Sequence, residues 1–401
     1  MEHELIVFTV VMITLFYGFF SKLLEKFNIS GPMIFLLVGV ILSPLGFDFI
    51  VIGLDSQGVK IIAEIALVIV LFSDSSSLSL KGLQSNWQIP VRLLLIGLPL
   101  TILFSTYVAS IMFPHEPLLY ILVMALILAP TDAALGKAVV TQKSVPKEIR
   151  SAINVESGLN DGIVFPVLIT TLLLIIAHKE FGSDSSWGFY LLKQISFGVI
   201  VGAFSGFISA KTLTFVMKKE WVEDVYLNLS PVSIAILTYY IAEYIGGNGF
   251  IAAFVGGAFF GNFSTLFKSE QKLFLESEGE ILILVSFLVF GLTFIPATYE
   301  QWSPKVIAYS FMSLTVFRML PVVVSLVGVK IPMWSKLFIA WFGPRGIASI
   351  LYVMTVAHSV ESIDLKDELF SIITLTILLS ILLHGLSAKP LANLYAKEFK
   401  I

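Results

Sequence analysis

The sequence predicts an all-α polytopic membrane protein with about thirteen transmembrane helices. Three observations carry that prediction. The 401 residues are 57% hydrophobic and only 13% charged, about half the charged share of an ordinary soluble domain. The mean hydropathy is +0.93. The apolar residues come in continuous runs of about 20, the length of helix that crosses a bilayer. A membrane β-barrel would alternate apolar and polar positions instead.

Helices are expected over 4–24, 31–47, 59–73, 89–113, 117–140, 150–177, 188–217, 225–245, 249–265, 277–297, 304–328, 334–358 and 368–392. The first run, LIVFTVVMITLFYGFF, lacks a positive flank and a small-residue cleavage pattern. It is expected to be retained as a helix, not removed as a signal peptide. The third is short and contains Glu64. The fifth, LVMALILAPTDAALGKAVV, carries Pro130, Thr131 and Asp132 near its middle. The twelfth, LFIAWFGPRGIASILYVMTV, carries Gly343, Pro344, Arg345 and Gly346 there. Proline removes a backbone donor and clashes with the preceding turn. In lipid the freed carbonyls need partners, so both helices are expected to break inside protein or beside a wet cavity. If helices one to six repeat as eight to thirteen, the breaks take matching positions. The halves then have inverted topology, the pattern of secondary transporters. The chain ends soon after the last run, and no large soluble regulatory domain is expected.

Loop charges orient the chain. With the N-terminus outside, inner loops hold Lys22, Lys26, Lys137, Lys143, Lys147, Arg150, Lys218, Lys219, Lys268, Lys272, Lys330 and Lys336, among others. Outer loops and helix ends hold only Lys60, Lys179, Lys193, Lys305 and Lys366. The bias follows the positive-inside rule and puts the C-terminus in the cytoplasm. The absence of cysteine rules out disulfides and thiolate metal sites. No basic tail, nucleic-acid motif or Gly-rich phosphate loop occurs, so neither a nucleic-acid partner nor a cofactor is expected. The net charge of −3 points to no partner.

Six ionisable residues interrupt apolar runs: Glu64, Asp132, Glu156, Asp161, Arg318 and Arg345. An ionised side chain at the bilayer centre costs at least about 2.5 kcal/mol, so these are expected to face the bundle interior. If each arginine neutralises one acid, two acids are left over for function. Glu156 and Asp161 lie roughly 140° apart around one helix, at about 100° per residue. They therefore need not share a partner. Asn160 falls close to the face of Glu156. We assign Glu156 to an arginine pair and Asp161 to a site. Desolvation disfavours a charged carboxylate, so such a group holds either a proton or a cation. One carboxylate that cannot carry both is already an exchanger. Unwound carbonyls near Thr131 and the hydroxyl of Ser157 suit a hard cation such as Na+. Asp132 can face the positive end of one half-helix and Arg345 the negative end of another.

APTDA, then VESGLNDG, FRMLPV and GPRG in order along the chain resemble the NhaP-type Na+/H+ antiporters. These are monovalent cation:proton antiporters related to the animal sodium/proton exchangers. The resemblance implies the NhaA-like antiporter fold, with inverted six-helix repeats and two crossed discontinuous helices. It implies a homodimer in the cell membrane, with 1–88 and 225–297 as dimerisation scaffold. Segments 89–177 and 304–392 would form a core that moves like an elevator, with 188–217 as linker helix. Asp161 would bind cation and proton, and Thr131, Ser157 and Glu64 would complete the site for Na+ or Li+. Asn160 would mark the class that exchanges one cation for one proton electroneutrally. Glu156 would pair with Arg318, and Asp132 would lie near Arg345. The family's usual TDP becomes Thr131-Asp132-Ala133 here, while Pro130 is expected to keep the helix unwound. AEIALVIVLFSDSSSL resembles the family's third helix and the loop after it, making Asp74 a loop-end residue.

K+/H+ exchange stands beside Na+/H+ exchange, because ligand types do not reveal cation size. An intramembrane aspartyl protease built on Asp132 and Asp161 is a reading of another class. Its usual YD and GxGD contexts are missing, and it leaves the two arginines unexplained. Paired broken helices argue for alternating access over a channel. His358 and His384 lie near helix ends and are candidates for pH sensing. The Gly256-Gly257 pair is expected to permit close helix packing.

Overall fold

The computed structural model describes residues 2–53, 56–76, 87–132, 145–181, 186–264, 269–359 and 368–399. Within them the backbone is helical and no strand occurs. The elements are α1 (Glu2–Lys26), α2 (Gly31–Leu42), α3 (Gln57–Ser76), α4 (Gln88–Met112) and α5 (Leu118–Ile127). Then come α6 (Lys147–Phe181), α7 (Ser186–Lys218), α8 (Asp224–Tyr244), α9 (Gly249–Phe263) and α10 (Ser269–Thr298). The last are α11 (Pro304–Ser325), α12 (Met333–Trp341), α13 (Ile347–Ser359) and α14 (Glu368–Phe399). Among the described residues, seven helices are long and apolar enough to cross a membrane. The expected fifth helix stops at Ile127, and the expected twelfth is split into α12 and α13. Residues 133–144, which contain Ala133, lie outside the described residues.

The chain divides into two units. The first comprises Met1–Lys60, Gln88–Asn160 and Ile283–Ile401. It holds α4, α5 and α11 to α14, which shape the candidate site. α4 contains a π-turn at Leu93–Gly97. Just before it, Arg92 Nη1 donates to Val327 O at 2.6 Å and Ser325 O at 3.3 Å. A cation thereby meets the negative C-terminal end of α11. α11 begins where the Ser303 hydroxyl accepts from Val306 N at 3.3 Å, with Pro304 in its first turn. A core of Leu93, Ile149, Val322, Phe338, Phe342 and Tyr395 joins α4, α6, α11, α12 and α14.

The second unit comprises Ile61–Trp87 and Asp161–Leu282. Its α7 carries Gly198, Gly202 and Gly206, spaced by four so that they share one face. A Cβ at these positions would meet Asn248 O, Ala252 O and Gly256 O of α9 and the residue before it. Small residues let the two backbones approach, and lipid offers no hydrophobic drive to do so otherwise. Gly257 of α9 meets Phe72 and Ser75 of α3 in the same way. At the N-terminus of α9, Asn248 Oδ1 accepts from Ile251 N at 3.0 Å and Glu243 Oε1 from Gly249 N at 2.7 Å.

Candidate functional site

The two helix breaks of the first unit meet. Asp132 N donates to Pro344 O at 2.8 Å, joining one unwound segment to the other through their backbones. Every residue from Ala129 to Thr131 and from Phe342 to Gly346 is buried. Orphan backbone groups in a buried break need hydrogen-bond partners.

Side chains supply those partners. Ser349 Oγ donates to Ile127 O at 2.7 Å. Arg345 Nη1 donates to Ala129 O and, at 3.2 Å, to Pro130 O. Asn160 Nδ2 donates to Thr131 O at 3.2 Å. The carbonyls left behind as α5 unwinds are therefore met in sequence by a hydroxyl, a cation and an amide. At the other break, Asp132 Oδ2 accepts from Ile347 N at 3.0 Å. This places an acid on the positive first turn of α13 and a cation beyond the negative end of α5.

The glycines of GPRG follow from this arrangement. A Cβ at Gly346 would collide with the Asp132 carboxylate, and one at Gly343 with the Arg318 guanidinium. Arg318, on α11, meets Glu156, on α6, through both nitrogens. Nη2 donates to Oε2 at 2.8 Å, and Nη1 lies 2.6 Å from Oε1. Both residues are 1% exposed. Arg345 lies within electrostatic reach of this pair.

A cluster of neutral oxygens sits at the break that follows α5. Thr131 Oγ1 lies 3.0 Å from Ser157 Oγ and accepts from Asn160 Nδ2 at 2.8 Å. Because a carbonyl only accepts, the contact to Thr131 O fixes which way the Asn160 amide faces. Asn160 Oδ1 is then a buried acceptor with no hydrogen-bond donor among the described residues. Thr131, Ser157 and Asn160 are all nearly or fully buried. Two hydroxyls, one backbone carbonyl and one open amide oxygen are the hard donors that a small alkali cation takes.

Asp161 follows Asn160 on α6, is 5% exposed and belongs to the second unit. Glu64 also belongs to the second unit, on α3, within electrostatic reach of Tyr239 and Glu243. The structure thus brings Thr131, Ser157 and Asn160 together, Glu156 with Arg318, and Asp132 with the backbone on either side of Arg345. It groups Glu64 with Tyr239 and Glu243. Asp74, near the end of α3, is half-buried. His384 is not near a helix end: it lies well inside α14 and is 1% exposed. The sequence reading missed Arg92 and Ser380. Arg92 had a signal, a lone arginine at the start of an apolar run. A buried serine in a helix has none.

Three comparisons bear on this geometry. A family profile described as "Sodium/hydrogen exchanger, transmembrane" matches residues 10–394. The K+/H+ antiporter NhaP of Alkalimonas amylolytica is 25% identical over 375 residues, covering 91% of this chain and 63% of its own. The Na+/H+ antiporter of Schizosaccharomyces pombe is 25% identical over 411 residues, covering 93% of this chain and 86% of its own. This chain therefore spans under two thirds of the first relative's length. The solved structure of the sodium proton antiporter MjNhaP1 from Methanocaldococcus jannaschii matches with a TM-score of 0.75 at 21% identity. That match covers 99% of this chain and 100% of the other, and shows a shared fold. With a profile that runs through nearly all its helices, the chain belongs to the sodium/hydrogen exchanger family.

Proposed function

We propose that this protein is a secondary active antiporter that exchanges one Na+ or Li+ for one H+. One observation carries the reading: the Thr131–Ser157–Asn160 oxygen cluster at a buried helix break, one residue before the buried Asp161. The oxygens offer neutral ligands, and the carboxylate offers the charge.

The coupling follows from electrostatics. A bare carboxylate held in a medium of low dielectric costs several kcal/mol. The moving part of the transporter therefore reorients readily only when Asp161 is neutralised. A proton does this and so does a monovalent cation, but not both at once. Loaded forms cross, the empty form does not, and exchange results. Both loaded forms carry the same charge, so the cycle is electroneutral. Asn160 contributes an oxygen without a second charge, which keeps the stoichiometry at one for one. The segments 89–177 and 304–392 would move as an elevator against a dimeric scaffold of 1–88 and 225–297. We place the protein in the cell membrane with its C-terminus in the cytoplasm.

K+/H+ exchange is the second reading, favoured by the name of the Alkalimonas relative. Reconstitution in proteoliposomes tests both. A Na+, Li+ or K+ gradient is imposed with the membrane potential clamped, and lumenal pH is followed. Asp161→Asn is expected to lose exchange to background. Wild-type alkalinisation by that variant would overturn the assignment of Asp161.

A further inference from the structure

Two backbone groups of the break between α12 and α13 are met by one face of α14. One is Arg345 N. The other is Trp341 O, at the C-terminal end of α12, which also accepts from Gly343 N at 2.8 Å within the break. Ser380 Oγ accepts from Arg345 N at 2.6 Å. His384 Nε2 lies 3.0 Å from Trp341 O, and its Nδ1 lies 3.2 Å from Ser380 Oγ and 3.1 Å from Ser380 O. One turn further on, Ser387 Oγ accepts from Trp341 Nε1 at 3.0 Å. The His384 ring stacks near the Trp341 indole, with centroids 5.0 Å apart. Positions 380, 384 and 387 fall on one face because a helix turns once in about 3.6 residues.

Trp341 O and Ser380 O both only accept, so a neutral His384 ring donates to one of them, from Nε2 to Trp341 O or from Nδ1 to Ser380 O. With the proton on Nε2, Nδ1 accepts the proton of the Ser380 hydroxyl. With either tautomer, Ser380 Oγ accepts from Arg345 N. Ser380 is fully buried and His384 is 1% exposed, so losing either bond leaves a buried polar group without that partner.

We propose that Ser380 and His384 are positioning residues of the transport site: a clasp from α14 that sets the geometry of the break at Phe342–Gly346. The clasp acts through the backbone. It fixes Arg345 N, and with it Pro344 O, which holds Asp132 N next to Thr131. It also sets the origin of the Arg345 side chain that meets the carbonyls of Ala129 and Pro130. Without the clasp, the oxygens offered to the cation lose their alignment while the helices on either side remain packed. The inference rests on the antiport reading for its functional consequence, but the clasp itself does not.

The test uses the full chain in proteoliposomes together with amide hydrogen exchange in detergent. Ser380→Ala and His384→Leu are expected to raise the apparent KM for Na+ by about tenfold, as loss of one buried hydrogen bond would. His384→Gln, which can still donate to Trp341 O and accept from Ser380, is expected to stay close to wild type. The double variant is expected to be no worse than the worse single, because the clasp works as one relay. Amides of the 342–347 segment are expected to exchange faster in Ser380→Ala than in wild type. A folded Ser380→Ala protein with unchanged KM and unchanged protection of that segment would overturn the proposal. A lower transport rate at wild-type KM, with wild-type protection, would also overturn it, as that marks a merely structural role. Should the wild-type protein move no ions, the antiport reading fails, and amide protection alone then decides the clasp.

Discussion

Glu156 and Asp161 stand five residues apart on one helix, and the surroundings of Glu156 are those of a structural ion pair. Glu156 meets Arg318 through both carboxylate oxygens at 1% exposure. Forming such a pair gains little over an apolar pair of the same shape, because both ions are desolvated. Breaking one is costly, because the survivor is left charged and buried. Glu156→Gln is therefore expected to destabilise the protein by about 3–5 kcal/mol. The check is the melting temperature in detergent, which should fall clearly. Unchanged melting would show that Arg318 finds another partner. Gly343 belongs to the same arrangement, since any side chain there would displace the Arg318 guanidinium. The sequence made the charges legible, because an ionised group in an apolar run has few explanations. The residues alone left open which arginine takes which acid; only the family resemblance implied the pairing. That depends on where α6 and α11 meet, and no local pattern of residues encodes a contact between positions 156 and 318.

At the level of elements, the two interruptions were readable because Pro130 and the Gly-Pro-Arg-Gly of 343–346 contradict the apolar runs that hold them. How the broken ends are satisfied was not readable. The partners come from α6, α13 and α14, and serine, histidine and asparagine in those helices look like ordinary helix-interface residues until the fold aligns them. The packing of α7 on α9 is a different case. Gly198, Gly202 and Gly206 repeat at a spacing of four in plain view, whereas the sequence reading attended to Gly256-Gly257. The repeat makes a directional prediction. In a helix interior, Gly→Ala normally stabilises by up to about 1 kcal/mol. At Gly202 the new methyl would press on Ala252 O, and overpacking costs about 1–3 kcal/mol. Gly202→Ala is thus expected to lower the melting temperature. Gly188→Ala, in the same helix with nothing within 4 Å of its Cβ, is expected to hold or raise it. Equal behaviour of the two variants would remove the close-contact role from the glycine repeat.

At the scale of the whole molecule, the composition was enough for an all-helical membrane chain, and the motifs were enough for the family. Selectivity was not legible. Hydroxyl, carbonyl and carboxylate oxygens bind Na+, Li+ and K+ alike, and the difference lies in sub-ångström spacing that residue types do not report. The coupling, in contrast, makes a demand on the entire transport cycle that does not depend on the cation chosen. If cation and proton compete for Asp161, raising the proton concentration must raise the apparent KM for the cation and leave the maximal rate unchanged. Well below the pH at which the site loses its proton, linkage makes that rise approach about tenfold per pH unit. If both loaded forms carry the same charge, a membrane potential of either sign, set with a potassium ionophore in the Na+ or Li+ assay, must leave the rate unchanged. Initial rates in proteoliposomes, measured over a grid of cation concentration and pH at several clamped potentials, separate the outcomes. A KM that ignores pH would mean that cation and proton occupy different groups. A rate that follows the potential would mean that a second charge travels with the core, and Asn160 would no longer explain the stoichiometry.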